Sequence, residues 1–198
     1  MTRTPLLFVL CLALPACFGI WMQTEQPAGP DEPRYTAKGR MLKPADYRQW
    51  VWLSSGLGMS YRAGSTANDD PSFDNVFASP KSYRAFMQTG EWPDKTVLVL
   101  ESRGSVSRAS INQSGHFQGE LMGMEVHVKD TSRFPGGWAF FGFDTKAHTG
   151  TLFPTGANCY SCHERSGAVD TTFAQFYPTL FEVAKRKGTL KASYEKQP

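Results

Sequence analysis

Gly119-Glu120-Leu121-Met122-Gly123-Met124-Glu125-Val126-His127-Val128-Lys129, followed by Phe134-Pro135-Gly136-Gly137 and then Trp138-Ala139-Phe140-Phe141-Gly142-Phe143, reads as a long strand, a turn and a second strand. A proline and two glycines in a row interrupt any helical period and mark a turn. Upstream, Thr96–Glu101 reads as an apolar strand, and Asn75–Ala78 and Leu57–Arg62 as two more. Ser79-Pro80 carries an N-cap and first-turn signal for a helix with Tyr83, Phe86 and Met87 on one face and Gly90 as its stop. Pro44 suits the first turn of an earlier helix, with Tyr47, Trp50 and Val51 at 3, 4 spacing. Phe173–Lys187 reads as helical with a break before Pro178. Strands joined by short loops, with helices before and after, predict an α+β fold: a predominantly antiparallel sheet flanked by helices.

Downstream of the strands stands Cys159-Tyr160-Ser161-Cys162-His163, a C-x-x-C-H motif that reads as covalent attachment of a c-type haem. Cysteines three apart on one helical turn project both sulfurs to the same side, where each can form a thioether with a haem vinyl group. His163 follows directly and is placed as the proximal iron ligand. The motif therefore predicts a C-terminal haem helix. Other readings of the pair are half of a zinc site, a redox dithiol or a simple disulfide. Structural zinc wants four ligands, but the other cysteines, Cys11 and Cys17, lie in the N-terminal apolar segment, and His116, His127 and His148 have no ligand-like spacing. A redox dithiol belongs near the start of a βαβ unit, and this pair is late. A disulfide suits an exported protein.

The N-terminus reads as an export signal. Met1–Arg3 is a short positive region, Pro5–Ile20 is apolar, and residues 23–40 form a polar linker rich in proline and acid. Residues 1–22 are thus a signal peptide or anchor. Leu14-Pro15-Ala16-Cys17 resembles a bacterial lipobox, so lipidation of Cys17 would tether the protein to a membrane. The expected location is the periplasm. The haem domain is assigned to residues 41–190 and a tail to 191–198.

Fourteen Phe, seven Tyr and five Trp supply an aromatic core, part of which a haem pocket would use. The net charge is only +3, and its most basic run, Lys185-Arg186-Lys187, reads as a solvated helix end, so no nucleic-acid partner is expected. Glu125 and His127 alternate on one strand face and read as a solvated or locally paired face. His116 and His148 lie near loop signals, and Trp138 reads as packing on the sheet.

Small electron-transfer cytochromes c carry the motif early with a methionine ligand downstream. Here all seven methionines precede it. Four-helix cytochromes carry it late, but the strands and Gly/Pro turns do not suit an up-down bundle. The chain resembles the cytochrome P-460 family, which includes the cytochromes c-prime-beta. The resemblance runs from about Leu42 to Leu190 and rests on an ordered set of segments. These are Ala45-Asp46-Tyr47-Arg48-Gln49-Trp50, Ser79-Pro80-Lys81-Ser82-Tyr83, Gly90-Glu91-Trp92-Pro93-Asp94, Val126-His127-Val128-Lys129-Asp130 and Arg133-Phe134-Pro135-Gly136-Gly137-Trp138. The haem motif, Asp170-Thr171-Thr172-Phe173 and Phe176-Tyr177-Pro178 complete the set.

The resemblance implies one c-type haem with iron, a proximal histidine and an open distal face. It also implies a redox partner protein and a tendency to dimerise. In the hydroxylamine-oxidising branch a lysine makes an extra link to the haem ring, and a carboxylate in the run leading to the motif moves protons. Leu100 stands at the lysine position, and Thr151–Asn158 holds no acid. Both departures speak against hydroxylamine oxidation. Leu100 and Leu98 share a strand face and, with Met59 and Phe77, are the candidate distal pocket; each also reads as ordinary core. An apolar pocket favours nitric oxide or carbon monoxide over dioxygen. Met59 as a sixth ligand would instead make the protein an electron carrier.

Overall fold

A computed structural model describes residues 29–61 and 71–195. The signal, the lipobox-like Cys17 and residues 23–28 of the polar linker lie outside the described residues, as do the last three residues of the tail. Among the described residues no helix is long and apolar enough to cross a membrane.

Seven strands form one antiparallel sheet: β1 (Met41–Leu42), β2 (Val51–Leu57), β3 (Phe73–Ala78), β4 (Val97–Val106), β5 (Phe117–Lys129), β6 (Trp138–Phe143) and β7 (Thr149–Leu152). Their order across the sheet is β1-β7-β6-β5-β4-β3-β2, so β2 through β7 form a continuous meander. The helices are α1 (Pro80–Thr89), α2 (Asn158–Ser166), α3 (Pro178–Lys187) and α4 (Ala192–Glu195), with single 3₁₀ turns at Tyr47–Gln49 and Ala174–Phe176. The α+β architecture expected from the sequence is the one observed.

The pleat sorts successive side chains to opposite faces. Val97, Val99, Val126, Val128 and Phe141 face one way and form a core with Met41 and Tyr47. Leu98 and Trp138 face the other way and pack with Phe86, Trp92, Leu180 and Val183 beneath α1 and α3. This second face also bears Leu100, His127 and Phe140. The α1 limits match the sequence signals: Pro80 opens it, and Gly90 ends it at φ 80° with its N–H on the Phe86 carbonyl. Only glycine takes that left-handed cap without strain.

Three expectations are corrected. The helix from Pro44 is a single 3₁₀ turn, because the buried Tyr47 hydroxyl donates to the buried Glu101 carboxylate and stops the chain there. The strand expected at Leu57–Arg62 is β2, which starts at Val51 and ends at Leu57. Its pairing with β3, from Val51 opposite Ala78 to Leu57 opposite Phe73 with an irregularity at Leu53, overrides the 3, 4 spacing of Tyr47, Trp50 and Val51. Finally β4 continues past Glu101 to Val106, because β5 supplies pairing partners for its polar half through two register irregularities. The short strands β1 and β7 carry no legible pattern of their own; they exist because β1 pairs with β7 and β7 with β6.

Candidate functional site

The thiols of Cys159 and Cys162 are free and half-buried on α2. The helix ends at Gly167, where a Cβ would sit 2.7 Å from the His163 carbonyl oxygen and 2.9 Å from the backbone N and O of Thr172. Glycine is required there because the chain folds straight back into a tight loop. In that loop Val169 and Thr172 bridge to one another and Asp170 takes φ 50°, a left-handed value that Asp tolerates better than most residues. Lys129, at the end of β5, holds the loop: its ammonium donates to the Asp170 carboxylate at 2.9 Å and to the Trp92 carbonyl at 2.8 Å.

The loop orients His163. Its Nδ1 lies 2.8 Å from the Thr171 carbonyl oxygen. A carbonyl only accepts, so Nδ1 carries the proton and Nε2 keeps a lone pair. Ligating histidines are fixed in the same way, with the other ring nitrogen donating to a backbone carbonyl. Phe140 and Phe173 flank the ring with centroids at 4.6 and 4.3 Å. Burial lowers the pKa of His163, against the opposing effect of the Thr171 contact. The neutral imidazole is the form that binds metal.

His163 faces a cavity of about 560 Å³ on the helical side of the sheet, a volume within the ordinary range of ligand pockets. The floor follows from strand register. Leu98 lies between Ala78 and His127, with Phe140 next; Leu100 lies between Val76 and Glu125; Asp74 pairs with Ser102. The end near His163 is therefore apolar and aromatic, and the far end is polar. Ser54, Met59 and Tyr61 line it from β2 and the segment after it. Of the expected pocket residues, Leu98, Leu100 and Met59 line the cavity. Phe77 does not. It is on the opposite face of β3, edge-on to Tyr47 at 5.7 Å, because Val76 and Asp74 have the parity that points inward.

Glu125 and His127 differ from the sequence expectation: both line the cavity. His127 is 8 % exposed, stacks on Phe140 at 4.0 Å, stands edge-on to His163 at 5.2 Å and brings Nε2 to 3.1 Å from Thr171 Oγ1. Shared strand parity was the signal; what covers that face was not legible. Glu125 is open to the cavity yet enclosed by its walls, and this enclosure, with Asp74 adding to it, raises its pKa.

Burial, then the neighbouring His163, depresses the pKa of His127 well below its ordinary 6.5. Below pH 6.5 the unfolded chain takes a proton that folded His127 refuses, so stability falls as the pH drops. His127→Phe keeps a stacked ring and removes the titration. Urea midpoints at about pH 7 and 5.5 should therefore differ less in the variant than in the parent protein. Equal differences would remove His127 from that role.

The donor set suits a haem: an oriented neutral imidazole, two free thiols on the same helix and an apolar cavity beside them. Among the described residues no three His, Cys, Asp or Glu side chains converge as a protein-only metal cage, so zinc finds no ready site there. The family model of cytochrome P460 matches residues 44–174, well over half of the chain. The chain belongs to the cytochrome P460 family. No curated protein matches it. Membership makes the protein a haem cytochrome, with haem c and iron as the family's cofactor. In this cytochrome the haem motif and every lining residue of the cavity except Phe176 and Tyr177 fall within the matched span.

Proposed function

We propose that the protein is an exported, periplasmic mono-haem c-type cytochrome that binds a small gas such as nitric oxide or carbon monoxide. In this reading Cys159 and Cys162 form thioethers to the haem vinyl groups, and His163 Nε2 is the proximal iron ligand. The supporting observation is the cavity, which runs from the oriented His163 to Leu98, Leu100 and Val76. When bound, the haem supplies an iron centre that changes oxidation state and offers a coordination position. The chain does the rest. The loop at Thr171 keeps Nε2 unprotonated, and Phe140 and Phe173 confine the ring. Leu98 and Leu100 present no donor near the apolar end, which disfavours dioxygen, whose bound form needs a hydrogen bond. Met59 lines the cavity, but its side chain folds back on Gly56, where a Cβ would meet the sulfur at 2.2 Å.

Absorption spectra of the protein matured in a periplasm test this reading. A five-coordinate ferrous spectrum that shifts with carbon monoxide and nitric oxide is expected. A low-spin ferrous spectrum indifferent to carbon monoxide would make the protein an electron carrier instead.

A second reading, oxidation of hydroxylamine or another small nitrogen compound, is favoured by the carboxylates Glu125 and Asp74 at the polar end of the cavity. They stand on the sheet, although the run before the haem motif has no acid. Against this reading, Leu100 occupies the position of the crosslinking lysine. Leu100→Lys should place an amine in the cavity and yield an additional covalent bond to the haem ring with a red-shifted ferrous band. An unchanged spectrum in a folded variant counts against the assigned register. Hydroxylamine turnover with an electron acceptor would establish this second reading, and its absence would remove it.

A further inference from the structure

A second, smaller cavity of about 360 Å³ adjoins the first, and the two share Ser102 and Glu125 as common wall. Exposed Arg40 and Asp144 line the smaller one. Its floor passes over Gly123 and Gly142, which sit beside the shared wall because Gly123 pairs with Ser102 and Gly142 with Glu125. Neither glycine has a left-handed φ, so the backbone does not require them. Glycine inside a strand weakens it and often marks a place kept clear for something to approach. A Cβ on Gly123 would meet nothing within 4 Å. It would project on the same strand face as Glu125, into the open space between the cavities. On Gly142 that space is already taken by the Phe153 ring, 2.8 Å from where a Cβ would stand. Gly123 is therefore the position at which the missing side chain leaves a passage.

We propose that the groove over Gly123 is a polar entrance to the large cavity, with Ser102 and Glu125 as its inner threshold, admitting water and small uncharged hydrogen-bonding solutes. The Ser102 hydroxyl donates to Asp74 at 2.6 Å, which continues the polar lining inward. Met59 and Tyr61, both exposed, line the large cavity on its β2 side; apolar gases, which gain nothing from a polar lining, enter past them. The two classes of ligand thus use separate doors.

The inference rests on the reading that the large cavity holds the haem. Its test uses the full haem-loaded chain and two probes: hydrogen cyanide for the ferric protein and carbon monoxide for the ferrous. Gly123→Val should slow cyanide association about tenfold, a barrier rise of about 1.4 kcal/mol, and leave carbon monoxide association nearly unchanged. Cyanide association at the parent rate in folded Gly123→Val, or equal slowing of both probes, would overturn the proposal. A high-resolution crystal structure gives an independent readout. Ordered waters running from Arg40 and Asp144 to Glu125 are expected in the parent protein and a broken chain in Gly123→Val, or in Gly123→Ala if valine prevents folding. A dry groove in the parent protein would overturn the entrance. Failure of the parent protein to take up either probe would overturn the haem-cavity reading instead, and the water chain would still judge the groove.

Discussion

Replacing Cys159 and Cys162 together by alanine is expected to leave the protein with no covalently held haem. Each thioether forms by addition of a thiol across a vinyl group, and alanine has no sulfur to add. Both thiols are free and half-buried on α2, next to the histidine proposed to hold the iron. Haem staining after denaturing electrophoresis should show full signal for the parent chain and none for the double variant. Each single variant keeps one bond and should still stain. The double variant can hold haem only as a dissociable ligand, which stabilises the fold only to the extent that free ligand exceeds its dissociation constant. Its unfolding midpoint should therefore depend on added haem, whereas that of the parent should not. Staining of the double variant at parental strength would refute the assignment of Cys159 and Cys162.

Trp92→Ala should cost about 3–5 kcal/mol, the usual range for deleting a buried aromatic side chain. That is a large part of the roughly 5–15 kcal/mol that holds a domain folded. Trp92 is 2 % exposed and its ring packs on Phe86 at 4.5 Å. Its indole N–H donates to Thr172 Oγ1 at 2.8 Å, while its carbonyl accepts from Lys129. The residue therefore links the core under α1 to the loop that orients His163. Trp92→Phe keeps most of the volume and loses the N–H, while Thr172 Oγ1 still donates to the Val169 carbonyl, so it should cost about 0.5–1.5 kcal/mol, the net worth of one hydrogen bond. Urea unfolding of both variants, haem-loaded, checks the two values. A loss below about 1 kcal/mol for Trp92→Ala would show that the cavity it leaves collapses.

The local elements were legible where the signal is local. Ser79-Pro80 and Gly90 bound α1 because a cap and a left-handed stop act within a few residues. Trp138–Phe143 is β6 at the expected limits, since the Gly136-Gly137 turn sets its start. Elements that depend on a distant partner were not legible. The turn at Tyr47 is set by Glu101, 54 residues away, whose carboxylate also takes Arg103 at 2.5 Å and Arg48 at 2.8 Å. In the site, the parity of β4 was readable from alternation, so Leu98 and Leu100 were placed on one face correctly. Phe77 was misplaced by one residue on β3, and one residue is the whole difference between the two faces of a sheet.

The sequence by itself determined the donor set proposed for haem attachment, because two thiols and an imidazole within five residues need only one helical turn to stand together. It also determined the α+β class, because turns and alternation are short-range properties. Only the tertiary structure decided which face of the sheet lies beside His163 of α2. Leu98, His127 and His163 are far apart in the chain and meet through strand register and the fold-back at Gly167. For the same reason Glu125 passes from an unremarkable strand position to the shared wall of two cavities. A side chain's face is encoded locally, but what packs against that face is a sum over the whole fold.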